Sequence, residues 1–173
     1  MILRKALQEE AAICYSFIED GRAYHKSLGF EQWRPEYPTV KTIEEDISSG
    51  IGYVFAMEQG ERDHIGSPIG YCNIILQDDP SFAAIDGAWK TERPYASVHR
   101  MAFSAESRGK GLAHDAFELI KAYCKEQGID AIRVSTQEEN KPMQRVFARE
   151  GFLYCGLIFF NGGPKLAYEW DRI

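Results

Sequence analysis

The part of the chain that most restricts its fold lies between Tyr95 and Thr136. "YASVHRMAF" reads as a strand, and the glycine-bearing "SAESRGKG" interrupts it. From Leu112 to Gln127, residues Leu112, Ala116, Leu119, Ile120 and Tyr123 recur on one helical face, and Gly128 ends the helix. "AIRVST" then reads as a buried strand. A strand–helix–strand unit within one sheet requires a right-handed crossover and locally parallel strands. The whole is therefore expected to be a mixed α/β sheet.

The flanking sequence supplies antiparallel-type strands. "MILRKAL" is a short first strand. A helix from about Gln8 to Leu28 carries Ala12, Tyr15, Phe17 and Ile18 at helical spacing, with Gly29 as its stop. "QWRPEYP" is a rigid aromatic loop holding Trp33 and Tyr37. Thr42 heads a short helix through Ile47, with Glu45 placed for a capping box. "IGYVFAME" and "PIGYCNIIL" are two strands of a hairpin joined through "QGERDHIGS". Asp78 to Pro94 is a polar loop with a short strand at Phe82 to Ile85. Asn140 caps a further helix, Pro142 sits in its first turn and Gly151 closes it. "FLYCGLIFF" and "KLAYEW" are the last strands, joined by "NGGP". The expectation is one domain over residues 1–173. Its class is α/β, with a mixed, mostly antiparallel central sheet, one parallel strand pair and flanking helices.

Composition narrows the function classes. The chain has 173 residues, enough to bury a core without staples. Its net charge is -6 and it lacks a Lys/Arg block, so nucleic acid is not an expected partner. An acidic surface suits a cationic acceptor such as an amine. Cys14, Cys72, Cys124 and Cys155 form no C-x-x-C pair. His25, His64, His99 and His114 show no ligand spacing with them, so neither a metal nor a disulfide framework is expected. The N-terminus turns charged early, and apolar runs such as "LIFF" are too short to span a bilayer. The expectation is a cytoplasmic protein with no membrane partner. Exposed strand edges would allow a homodimer.

The loop "SRGKG" resembles those that hold phosphate. A triphosphatase loop needs Ser or Thr after its lysine, but Lys110 is followed by Gly111. A dinucleotide loop needs a third glycine where His114 stands. The pattern R-x-x-G-x-[GA] is met by Arg108, Gly111 and Ala113. Gly109 and Gly111 allow the backbone to turn its N–H groups toward one point, and the helix from Leu112 aims its positive end there. Such a turn would cradle a pyrophosphate. A solvated turn before a helix is the plainer alternative.

Together with "ENKPMQRVFAREGF", Glu139 to Phe152, this loop resembles the GNAT superfamily of N-acetyltransferases. The matching segments run from Val98 to Phe152. The resemblance implies that acetyl-CoA is the acyl donor and that Arg108, Gly109, Lys110, Gly111, Leu112, Ala113 and His114 hold its pyrophosphate. It places the backbone of Met101, Ala102 and Phe103 along the pantetheine arm, where one N–H would polarise the thioester carbonyl. Asn140 would both cap its helix and touch the cofactor arm. His99 matches a histidine proposed to relay protons in serotonin N-acetyltransferase; a hydrogen-bonded structural histidine is the alternative. His99 lies two residues before Met101, on the same strand face if no bulge intervenes.

Phe147 departs from the family. Many members carry a tyrosine there, which protonates the leaving thiolate. Three outcomes stay open: Tyr154 or Tyr168 reaches the sulfur, water protonates it, or the domain binds acyl-CoA without turning it over. The implied reaction is acetyl transfer to a primary amine of a small molecule by direct attack. The alternatives are a peptide or protein N-terminal acetyltransferase and a catalytically silent acyl-CoA sensor.

Overall fold

Residues 1–57, 66–76, 79–160 and 162–171 are described by a computed structural model. They fold as two units, Met1–Ile74 with Arg100–Leu119 and Ile75–His99 with Ile120–Ile173.

In the first unit, β1 (Ile2–Lys5) pairs antiparallel with β2 (Gly52–Ala56), which pairs antiparallel with β3 (Pro68–Ile75). The expected hairpin is therefore present, although most of "QGERDHIGS" lies outside the described residues. Helices α1 (Ala11–Ser27) and α2 (Val40–Ser48) supply the apolar stripes that cover these strands. Cys14, Phe17 and Ile18 of α1 and Ile43 and Ile47 of α2 are buried with Val54 and Tyr71. The buried stripe of α1 includes Ala11 and Cys14, whereas the expected Ala12 is exposed. The start of α2 also differs from expectation. Thr39 is the cap, and its hydroxyl and that of Thr42 each accept the other's backbone N–H, at 3.3 and 3.1 Å. Glu45 has no part in that box, because the helix begins three residues earlier than Thr42 suggested.

The second unit takes most of β5 (Tyr95–Phe103) together with β6 (Ala131–Thr136), α4 (Lys141–Arg149), β7 (Leu153–Phe159) and β8 (Pro164–Asp171). β5 and β6 are parallel over Tyr95↔Ala131 to Ser97↔Arg133. β6–β8 and β7–β8 are antiparallel. The strand expected at Phe82–Ile85 is not there. A 3-10 turn at Pro80–Phe82 buries Phe82, and β4 (Asp86–Gly87) follows, paired with β7. Arg133 and Glu169 form a buried ion pair at 2.8 Å. Both are tied to the Thr91 backbone, and the guanidinium lies between the Trp89 and Tyr95 rings.

α3 (Leu112–Glu126) buries Ala116, Phe117, Ile120 and Cys124; Phe117 and Cys124 complete the stripe that the sequence outlined. The sheet order is β1-β2-β3-β5-β6-β8-β7-β4. It is mixed and mostly antiparallel, with one parallel pair among the described residues, as the crossover unit required. No helix among those residues is long and apolar enough to cross a membrane.

Candidate active site

The glycine loop of the first unit has the geometry that a phosphate cradle needs. Gly109 and Gly111 sit at φ +78° and +77°, a conformation that L side chains resist. A Cβ built on either glycine would meet nothing within 4 Å. The space in front of the turn is thus open, and α3 begins directly after it at Leu112. Gly109 and Gly111 put no side chain of their own before the head of this 15-residue helix, whose backbone N–H groups fit a phosphate group.

Arg108 reaches elsewhere with its side chain. Its Nη2 donates to the Asp20 carbonyl at 2.9 Å and its guanidinium lies 4.6 Å from the Tyr24 ring centre. Asp20 Oδ2 also accepts the Ala105 N–H at 2.8 Å. The loop is therefore braced on α1, a link that the sequence did not indicate. Lys110 and His114 are exposed, Leu112 and Ala113 half-buried. The His114 N–H donates to the Gly111 carbonyl at 3.2 Å.

Arg100 sits beside Met101 at φ +53°, the one non-glycine residue with positive φ among those described. The simple alternation that would put His99 and Met101 on one face is thereby broken. Arg100 is held by a buried network. Its Nε and Nη2 donate to Asp46 Oδ2 and Oδ1 at 2.9 and 2.7 Å, and Nη1 donates to the Tyr37 hydroxyl at 2.6 Å. The Tyr71 hydroxyl donates to the same carboxylate at 2.8 Å. Burial opposes the charge on Arg100, but Asp46, Tyr37 and Tyr71 together more than offset it and the guanidinium pKa rises. Burial, then Asp46, push the Tyr71 phenol well above its ordinary range. Tyr37 of the aromatic loop and Asp46 of α2 are thus tied to the strand that carries Met101, Ala102 and Phe103. Ala102 is buried, and the Phe103 ring stacks on Phe55 at 5.1 Å.

The second unit holds two further clusters. His99 Nε2 lies 2.5 Å from Asp79 Oδ2, with the Phe82 and Phe160 rings at 5.4 and 6.0 Å. Sequence reasoning missed Asp79, because nothing local marks a loop carboxylate that meets a strand twenty residues on. The other cluster is aromatic. Phe147 is buried on α4, its ring 5.2 Å from Tyr168, and Tyr168 lies edge-on to Tyr154 at 5.6 Å. Tyr154 and Tyr168 are register partners across β7–β8. Burial, then the neighbouring Tyr154, raise the Tyr168 pKa. Tyr154 is half exposed. Asn140 is buried and accepts the Met143 N–H at 3.1 Å, which caps α4 as expected.

Comparison with known proteins finds the same fold. A GNAT-family acetyltransferase of Streptococcus agalactiae superposes with a TM-score of 0.84 at 27% identity, covering 99% of this chain and 95% of that one. An aminoglycoside acetyltransferase solved with coenzyme A and kanamycin shares the fold, with a TM-score of 0.68 at 19% identity over 99% of this chain and 94% of that one. Streptothricin acetyltransferase of Escherichia coli is 34% identical over 66 residues, 38% of this chain; the chain covers 38% of that relative's length. The Acetyltransferase (GNAT) family matches residues 6–152, spanning the braced glycine loop, the Asp46–Arg100 network and α4, and the chain belongs to that family.

Proposed function

We propose that the protein transfers the acetyl group of acetyl-CoA to a primary amine of a small molecule by direct attack, with both units acting as one catalytic domain. The observation that carries this reading is the left-handed turn at Gly109 and Gly111, unobstructed at both glycines and set at the head of α3. The backbone of residues 108–114 binds the pyrophosphate, and Met101 to Phe103 offer backbone groups to the thioester arm. Parallel pairing of β5 with β6 stops at Ser97, short of those residues.

The amine nitrogen forms a bond to the thioester carbonyl carbon, and the carbon–sulfur bond breaks. His99 accepts the proton that the amine loses. The sulfur leaves as a thiolate and takes a proton from a tyrosine. Tyr168 is the better placed donor: its ring packs against Phe147, where many relatives carry their tyrosine. The four cysteines are buried and form no disulfide, which suits a reducing compartment and offers no covalent relay.

A thiol-release assay with an amine panel tests the reading. The panel contains aminoglycosides, a streptothricin, polyamines and peptides with free N-termini. Release of CoA on a small amine is the expected result, and release on peptides alone would shift the assignment to an N-terminal acetyltransferase. Phe147, which cannot donate a proton, favours a second reading as an acyl-CoA sensor; CoA binding without release on any acceptor would establish it.

A further inference from the structure

Asp79 is 3% exposed and faces four donors. Its Oδ1 accepts the Ser81 N–H at 2.9 Å and the Ser81 hydroxyl at 2.7 Å. Its Oδ2 accepts the Ser97 hydroxyl at 2.6 Å and meets His99 Nε2 at 2.5 Å. Burial opposes the charge, but the bonds from His99, Ser97 and Ser81 outweigh it and hold the carboxyl well below its usual range. An ionised carboxylate can only accept hydrogen bonds. Nε2 must therefore carry a hydrogen, and in the neutral ring the lone pair falls on Nδ1. Among the described residues, the Phe82 and Phe160 rings and the Tyr95 hydroxyl, which bonds the Asp79 backbone, also face the pair. Behind Tyr95 lies Arg133, itself bonded to Glu169.

We propose that Asp79 is a positioning residue that locks His99 in the Nε2–H tautomer, so that the acceptor's proton is taken by Nδ1. This rests on the reading of His99 as the base. Asp79→Asn is the sharp test, because the pocket dictates how the amide must sit. The Ser81 N–H still requires an acceptor, so the amide oxygen stays at the Oδ1 position. The NH2 group then lies where Oδ2 was and donates to His99 Nε2. Nε2 must accept, and the hydrogen moves to Nδ1, the nitrogen that has to be free.

Long-range proton–nitrogen NMR of the full chain reads the tautomer directly, at a pH where the ring is neutral, with the His99 signals assigned by His99→Gln. The expected result is Nε2–H in the wild type and Nδ1–H in Asp79→Asn. In parallel, CoA release on the best acceptor should fall by ~100-fold or more in kcat, with the KM for acetyl-CoA little changed. A wild-type ring protonated on Nδ1 overturns the lock even if Asp79→Asn does not fold. So does an Asp79→Asn ring that keeps its hydrogen on Nε2. An inverted tautomer with normal kcat removes the lock from catalysis. Absence of release on every amine would defeat the proposed function instead, while the spectra still decide the tautomer.

Discussion

The Asp46–Arg100 pair makes a quantitative demand on stability. Both side chains are at most one-tenth exposed, and the carboxylate serves a bidentate guanidinium and the Tyr71 hydroxyl. Asp46→Ala leaves a buried cation without its partner, a loss of about 3–5 kcal/mol. It also strips the Tyr71 hydroxyl of its acceptor, for about 1 kcal/mol or more. These terms overlap, so the expected loss is about 4 kcal/mol. With a urea m-value of about 2 kcal/mol/M, that lowers the unfolding midpoint by about 2 M. Trp33 packs against the same cluster and provides a fluorescence signal for the titration. Arg100→Met should also destabilise, because it strands the carboxylate. The double variant should be less destabilised than the sum of the two by at least about 2 kcal/mol, since neither charge is then left alone. Additivity within about 0.5 kcal/mol, or a loss below about 1 kcal/mol for Asp46→Ala, would refute the picture of a desolvated, mutually dependent pair.

Gly111→Val should remain folded, because a Cβ there meets no protein atom within 4 Å, yet lose CoA affinity at least about tenfold through the φ of +77° and the filled cradle; calorimetry giving unchanged affinity would remove the loop from the binding site. Tyr168→Phe should slow single-turnover CoA release by about tenfold or more while Tyr154→Phe does little, and Phe147→Tyr should partly restore the Tyr168→Phe variant; equal rates in all of them would leave water as the proton source. His25 is buried with Nδ1 unpaired, and burial, then Arg108, lower its pKa from 6.5 to about 4. The unfolded chain therefore takes up the proton first. Stability is intact above about pH 6.5 and declines toward pH 4, by up to about 3 kcal/mol from this group. In paired urea titrations, His25→Phe should flatten that decline, and an unchanged pH slope would contradict it.

Where periodicity was long, the sequence was legible. "YASVHRMAF" and "AIRVST" match β5 and β6, and the crossover through α3 foretold their parallel pairing. The Asn140 cap was legible because Asn, Pro and a helical stripe all agree locally. Thr39 was overlooked as a cap because Thr42, three residues on, offers the same hydroxyl, and only the backbone decides which one begins the helix. The contacts that organise the candidate site were hidden for a different reason. Asp79 with His99, Asp46 with Arg100 and Asp20 with Arg108 join residues 20, 54 and 88 positions apart. No periodic pattern encodes such pairings. Nor does an arginine signal in advance that it will adopt a left-handed conformation, which here is held by the salt bridge its own side chain makes.

The brace behind the glycine loop bears on how the proposed pyrophosphate site would capture its ligand. Asp20 holds the Ala105 amide with its carboxylate and the Arg108 guanidinium with its carbonyl, both from the rigid frame of α1. The ordering entropy of this approach to the cradle is met during folding, not on encounter with the ligand. On the proposed function, capture should be a docking event whose rate follows diffusion and charge, without a slow step of loop assembly. The Ala105 amide should accordingly exchange slowly with solvent deuterium before any nucleotide is added. Asp20→Ala would shift the work of ordering onto the ligand, which would show as slower association and a less favourable binding entropy at nearly the same contact surface.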